Sequence, residues 1–134
     1  MHPKTVALIP FKELDDALSR LEDVLTQEER SILSMAMLED VLTVLSLVSG
    51  LEASVIVSRE SAVEKVAHKH GTVIVKEPSG VVGEGPAVDY GSNQLLNNGI
   101  ERILIVPSDI PLMKSDDLET MLMEDIGMPS VIMA

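Results

Sequence analysis

The stretch RILIVPSDIPLM, Arg102 to Met113, runs apolar and then meets an aspartate, Asp109. A carboxylate at the end of a buried strand can hold Mg²⁺ through oxygen, with water and substrate phosphates completing the shell. Two cations, Lys12 and Arg20, stand in the segment after the first apolar run. Arginine offers a planar fork of donors and lysine a point charge, and both suit a polyphosphate. Ser58 and Arg59 follow the second apolar run, Lys76 and Glu77 the third. Each residue also has a plainer role. Asp109 suits a turn that bonds to its own backbone, and single cations suit a solvated surface. The difference lies in whether the fold gathers them at one edge.

The elements that must do the gathering are legible. Lys4–Phe11, Ala53–Ser58, Thr72–Lys76, Arg102–Pro107 and Pro129–Ala134 are short apolar runs of strand character. Thr26 and Glu29 form a capping box, which predicts a helix over Gln27–Val48 with Leu33, Met37, Val41, Val44 and Val48 on one stripe. Further helices are expected over Glu60–His70, closed by Gly71, over Tyr90–Asn98, closed by Gly99, and from Ser115 to Glu124. Asp116 and Asp117 sit in the first turn of the last, where the helix dipole favours anions. EPSGVVGEGPAV, with three glycines and two prolines, reads as a long loop. Continuous apolar strands alternating with helices predict an α/β fold, a three-layer α/β/α sandwich with a mostly parallel central sheet. Ligands of such sheets bind beyond the carboxyl ends of the strands, which is where Asp109 falls.

Composition narrows the chemistry. The 134 residues suit one domain, 1–134, and contain no cysteine, so disulfides, thiolate metal sites and thiol nucleophiles are excluded. The net charge of −12, with no basic patch interleaved with aromatics, argues against nucleic acid as a partner. The apolar stretch Ile32–Val48 is broken by Glu39 and Asp40, so no membrane span is expected, and no signal pattern opens the chain. A cytoplasmic protein is the expectation. Phe11 and Tyr90 are the only aromatics, so the core is built from Leu, Val, Ile and Met. His68 and His70, two apart on a helix, face different ways and cannot share a metal. GVVGEG, Gly80–Gly85, lacks the Lys-Ser/Thr ending of a phosphate loop and is set aside. Ser58 and Ser61 have no histidine placed for a triad.

Several stretches together resemble the 2-phospho-L-lactate guanylyltransferases, which make a precursor of the deazaflavin coenzyme F-420: ALIPFK, SRLEDVLTQEER from Ser19, AMLEDVL from Ala36, VIVS at Val55, GSNQLL from Gly91 and VPSDIPLM from Val106. They run in order over essentially the whole chain. The resemblance implies a Rossmann-like nucleotide-diphospho-sugar transferase fold of the glycosyltransferase-A-like kind. It implies transfer of GMP from GTP to the phosphate of a small phosphorylated acid, 2-phospho-L-lactate, with loss of pyrophosphate and with Mg²⁺ as cofactor. By the same resemblance Asp109 is the metal-binding catalytic residue, Lys12 and Arg20 face the polyphosphate, and Gly91 and Asn93 lie beside the nucleotide; Ser58, from its place after the second strand, is a further nucleotide-binding candidate. Leu18 stands where the family has a lysine, and the motif Gly-Leu-Asn reads Gly91-Ser92-Asn93. The resemblance also implies a C-terminal portion that this sequence does not contain. Alternatives in other classes are a catalytically impaired nucleotide-binding or interaction domain of the same fold, and a nucleotidyltransferase with another acceptor, such as a sugar phosphate or molybdopterin. The apolar final strand suggests an edge that pairs in a homodimer.

Overall fold

The computed structural model describes residues 4–78, 80, 83–109, 114–124 and 130–133. Five strands form one sheet: β1 Thr5–Phe11, β2 Ala53–Ser58, β3 Val73–Lys76, β4 Arg102–Ile105 and β5 Ser130–Met133. The order is β3-β2-β1-β4-β5 and every pairing is parallel. Four α-helices connect them: α1 Gln27–Ser46, α2 Val63–His70, α3 Glu84–Asn97 and α4 Ser115–Glu124. Two short 3₁₀ turns, Leu14–Asp16 and Ser19–Leu21, lie between β1 and α1.

The sheet divides two apolar layers. Ala7, Ile9, Phe11, Ile56, Leu104 and Val106 pack under α1, α2 and α4. Val6, Leu8, Val55, Val57, Ile103 and Ile105 pack under α3, through Val88 and Leu95 among others. The alternation along β1 is the period-2 signature of a strand buried on both sides.

The capping box at Thr26 forms as expected: Thr26 Oγ1 accepts from Glu29 N at 3.1 Å, and Glu29 Oε1 accepts from Thr26 N at 2.8 Å. The Thr26 backbone amide, and after it the Thr26 hydroxyl, hold the Glu29 carboxyl below its ordinary value. The buried stripe of α1 is Leu38, Val41, Leu42 and Leu45, not one beginning at Leu33, which is 39% exposed. At 1.5 Å per residue a 20-residue helix spans about 30 Å, while seven residues of strand span about 23 Å. The first turns of α1 therefore extend past the sheet edge. Helix α3 begins at Glu84, well before Tyr90. Gly83 caps it at φ 95°, a conformation that favours glycine, and Pro86 lies in its first turn, where no amide is needed. Residues 110–113, which complete the SDIPLM stretch, lie outside the described residues.

Helix α4 shares a face with α1. Leu118 and Leu122 join the first apolar layer, Ser49 N donates to Glu119 Oε1 at 2.8 Å, and Arg102 Nη2 donates to Leu122 O at 2.6 Å. From β1 to β2 the chain steps one way along the sheet, and from β4 to β5 the other way. With both helices on one face, the two crossovers have opposite hands. One of them departs from the right-handed rule that nearly all such units obey.

Candidate active site

Strand β1 neighbours β2 on one side and β4 on the other, and the connections leave these two neighbours in opposite directions. A crevice opens at this point in open α/β sheets. The residues over it are fixed by register. Phe11 pairs with Ser58, and Ser58 with Lys76. The next residues, Lys12, Arg59 and Glu77, thus form one row. Leu8 pairs with Ile105, and Val106 N continues the ladder to Leu8 O at 2.9 Å. Beyond Val106 the chain leaves the ladder and turns, with Asp109 in that turn. The carboxyl rim of the sheet accordingly carries Glu77, Arg59 and Lys12 just past three adjacent strands, about 4.8 Å apart per step, and Asp109 in the turn that follows β4.

All four line one cavity of about 560 Å³, together with Glu13, Asp16, Leu18 and Arg20 from the β1–α1 segment, Ser34 and Met37 from α1, and Gly83 and Ala87 from the start of α3. The projecting turns of α1 and the early start of α3 are what give this cavity its walls. Among the described residues, no carboxylate lies within ion-pair distance of Lys12 or Arg20. Both are exposed cations. Arg59 differs: its Nε lies 3.5 Å from Glu13 and 3.7 Å from Glu77. Burial pushes the Glu77 carboxyl up, Arg59 pulls it down by less, and Glu13 adds to the rise.

The segment carrying Lys12 and Arg20 is held at three points. Ser58 Oγ donates to Phe11 O at 2.8 Å and accepts from Glu60 N at 3.0 Å. Glu60 accepts from Leu14 N at 2.7 Å and from Ala62 N at 3.1 Å. Gln27 Nε2 donates to Leu14 O at 2.6 Å. Both backbone groups of Leu14 are therefore bonded from outside the loop. Leu18, on the cavity wall, takes the left-handed backbone at φ 49°, a conformation that costs a non-glycine residue about 1 kcal/mol.

The structure thus brings Asp109, Lys12 and Arg20 together, and it does not bring the other three expected residues to the cavity. Ser58 is buried beneath it and acts on backbone groups. Gly91 lies in α3 against the sheet: a Cβ there would meet both Leu8 δ-methyls at 3.1 Å. Asn93 is exposed on the same helix and does not line the cavity. Gly83, Ala87 and Glu77 stand in their place. The signal for Gly83 was present in the glycine-rich run before a proline, which marks a helix start as well as a loop.

The match to known proteins covers this whole layout. Residues 5–134 match the family model described as guanylyl transferase, CofC like. The chain belongs to that family. Its relatives among curated proteins include the phosphoenolpyruvate guanylyltransferase of Sphaerobacter thermophilus, 30% identical over 87% of this chain and 56% of that protein. That of Roseiflexus castenholzii is 37% identical over 84% and 51%, and that of Nocardia farcinica 32% over 91% and 56%. The chain spans about half the length of these relatives. Among solved structures it superposes on a 4-diphosphocytidyl-2C-methyl-D-erythritol synthase with a TM-score of 0.68, at 18% identity over 92% of this chain and 55% of that one. A cytidylyltransferase from Leptospira borgpetersenii gives 0.65, at 18% identity over 92% and 49%. These show that the CofC-like chain has the nucleotide-diphospho-sugar transferase fold.

The donor set suits magnesium in its less demanding mode. Among the described residues no three carboxylates or histidines are grouped to cage a metal. Magnesium is commonly held by one or two carboxylates with phosphate oxygens and water, and Asp109 supplies one at the rim. The cavity lining carries four carboxylates, Glu13, Asp16, Glu77 and Asp109, against three cations. The lining is net negative by one charge, a field that a divalent cation would offset. Among the described residues, no helix is long and apolar enough to cross a membrane.

Proposed function

We propose that the protein transfers GMP from GTP to the phosphate of a small phosphorylated carboxylic acid, with release of pyrophosphate, as a step toward coenzyme F-420. The acceptor oxygen attacks the α-phosphorus, a new P–O–P linkage forms, and the bond from the α-phosphorus to the bridging oxygen of the leaving pyrophosphate breaks. The acceptor is already an anion, so no strong base is required; the barrier is charge repulsion and alignment. Lys12 and Arg20 hold the polyphosphate and offset its charge. Asp109 binds Mg²⁺, which when bound neutralises phosphate charge. The relatives' names favour phosphoenolpyruvate as the acceptor; 2-phospho-L-lactate has the same carbon skeleton with its C2–C3 bond reduced.

The observation that carries this reading is the rim of the sheet: a carboxylate and a lysine past the ends of adjacent strands, in one cavity with a second unpaired cation. Incubating the chain with GTP, Mg²⁺ and each acceptor should release pyrophosphate, and Asp109→Asn should reduce the rate at least 100-fold, a magnitude seen when one charge-stabilising group is lost. An Asp109→Asn variant as fast as the native chain refutes the assignment. Leu18, apolar on the cavity wall where the family has a lysine, favours a second reading: a domain that binds nucleotide without transferring it. GTP binding with no pyrophosphate release from either acceptor decides for that alternative.

A further inference from the structure

The row on the sheet rim has two ends of different character. Asp109 stands at one end, exposed. Glu77 stands at the other, past the end of β3, with β2 and β1 between β3 and β4 in the sheet. Its side chain is only 9% exposed although it lines the cavity. Among the described residues, no donor reaches its carboxylate at hydrogen-bonding distance; the contact to Arg59 Nε is 3.7 Å. The Glu77 oxygens are not among the buried, unpartnered polar atoms of the described residues, so they still face the cavity and can accept from what enters it. Partial burial outweighs the attraction of Arg59 and raises the pKa of Glu77.

Glu77 and Asp109 line one cavity from either side of β2 and β1, as the base end and the phosphate end of a bound nucleotide would require. The phosphate end is set by Lys12, Arg20 and Asp109, which leaves Glu77 to the base. An ionised carboxylate has two parallel acceptor oxygens. Guanine alone among the common bases presents two adjacent donors, N1–H and the N2 amino group, on its pairing edge. Adenine and cytosine place a ring nitrogen acceptor beside their amino group, and uracil flanks its single N–H with carbonyl oxygens. Each of those would turn a lone pair toward the carboxylate.

We propose that Glu77 selects the base: its carboxylate accepts hydrogen bonds from N1–H and the N2 amino group of guanine, at the end of the cavity opposite Asp109. This rests on the guanylyl-transfer reading and adds to it a specificity residue. Arg59, between Glu13 and Glu77, keeps the carboxylate oriented and ionised.

The test is direct binding, by calorimetry in Mg²⁺, of GTP, ITP and ATP to the full chain and to Glu77→Gln. ITP keeps N1–H and lacks the 2-amino group. Each hydrogen bond to a charged group is worth about tenfold or more in affinity, so the native chain should bind GTP at least tenfold tighter than ITP, and ATP more weakly still. In Glu77→Gln, GTP should fall to within about threefold of ITP, because the amide turns a donor toward one of the two donors of guanine. ITP and GTP binding the native chain equally overturns the proposal without any variant. So does a Glu77→Gln chain that keeps the GTP preference, or that loses all three nucleotides by one common factor, the mark of an effect through Arg59. A native chain that binds no GTP sinks the guanylyl-transfer reading itself, whereas GTP binding with an unmoved preference sinks only the role of Glu77.

Discussion

Replacing Gly91 with alanine asks whether that residue serves the core or the nucleotide. An added Cβ would stand 3.1 Å from Leu8 Cδ1, 3.1 Å from Leu8 Cδ2 and 3.4 Å from Val57 Cβ. Both neighbours are fully buried on the two central strands, in the layer between sheet and α3. Leu8 meets the new methyl with both branches, so no rotation of its end relieves one contact without keeping the other. Val57 presents its Cβ, which moves only with the strand. Alanine inside a helix gains about 1 kcal/mol over glycine, while overpacking a filled core costs about 1–3 kcal/mol. The net is a loss of about 1 kcal/mol. With a urea slope of about 1–3 kcal/mol per molar, the unfolding midpoint should fall by about 0.5 M. GTP affinity of the folded variant should not change. A midpoint at or above the native one means that α3 does not sit this close to β1. A folded variant that loses GTP returns Gly91 to the binding site.

Glu60→Ala removes the acceptor of Leu14 N and Ala62 N. It should cost about 1–3 kcal/mol of stability, the penalty for a part-buried amide left unmet, and should weaken GTP binding as the segment with Lys12 and Arg20 loosens; unchanged nucleotide affinity contradicts the clamp. Glu39 bridges α1 to α2 through Lys69 Nζ at 3.0 Å and His70 Nε2 at 3.4 Å, and these partners, Lys69 first, hold its carboxyl below 4.5. A lowered carboxyl stabilises above its unfolded value and ceases to do so as pH falls through its folded one. The melting difference between native chain and Glu39→Gln should therefore be small, present near pH 7 and lost as pH falls through the lowered folded value of Glu39; a difference that persists undiminished in strong acid reverses the sign. Light scattering should show a dimer through the edge strand β5, and a monomer at high concentration removes that expectation.

Much of the fold was legible because parallel strands buried on both sides leave continuous apolar runs. Ala53–Ser58 is found at its expected bounds, and Ser115–Glu124 likewise. The capping box named the first residue of α1, since its two reciprocal bonds are local in sequence. The start of α3 was hidden because glycine and proline mark both a loop and a first helical turn, and only Gly83 at φ 95° separates the two. The stripe on α1 was misplaced because periodicity does not tell where a helix overhangs its sheet. At the site, Asp109, Lys12 and Arg20 could be read from their place after strands. Gly91 and Asn93 could not be excluded from sequence, because the glycine of a close helix–sheet contact and the glycine of a binding turn are the same letter. Glu77 was visible as a strand-end residue, but its pairing with Arg59 needed the register of β2 and β3.

The central place of β1 sets an order of events on the ribosome. One of its neighbours, β2, emerges soon after it; the other, β4, is made only after the segment from Lys4 to Glu101, which are 97 residues apart and hydrogen-bonded at 3.3 Å. Until then β1 offers an open edge with β2 and β3 already available to pair. Contacts so distant in sequence slow folding and prolong exposure to misassociation. The cationic loop is thus translated early and Asp109 late, so the rim that would take a magnesium nucleotide under the proposed function is complete only once β4 has inserted.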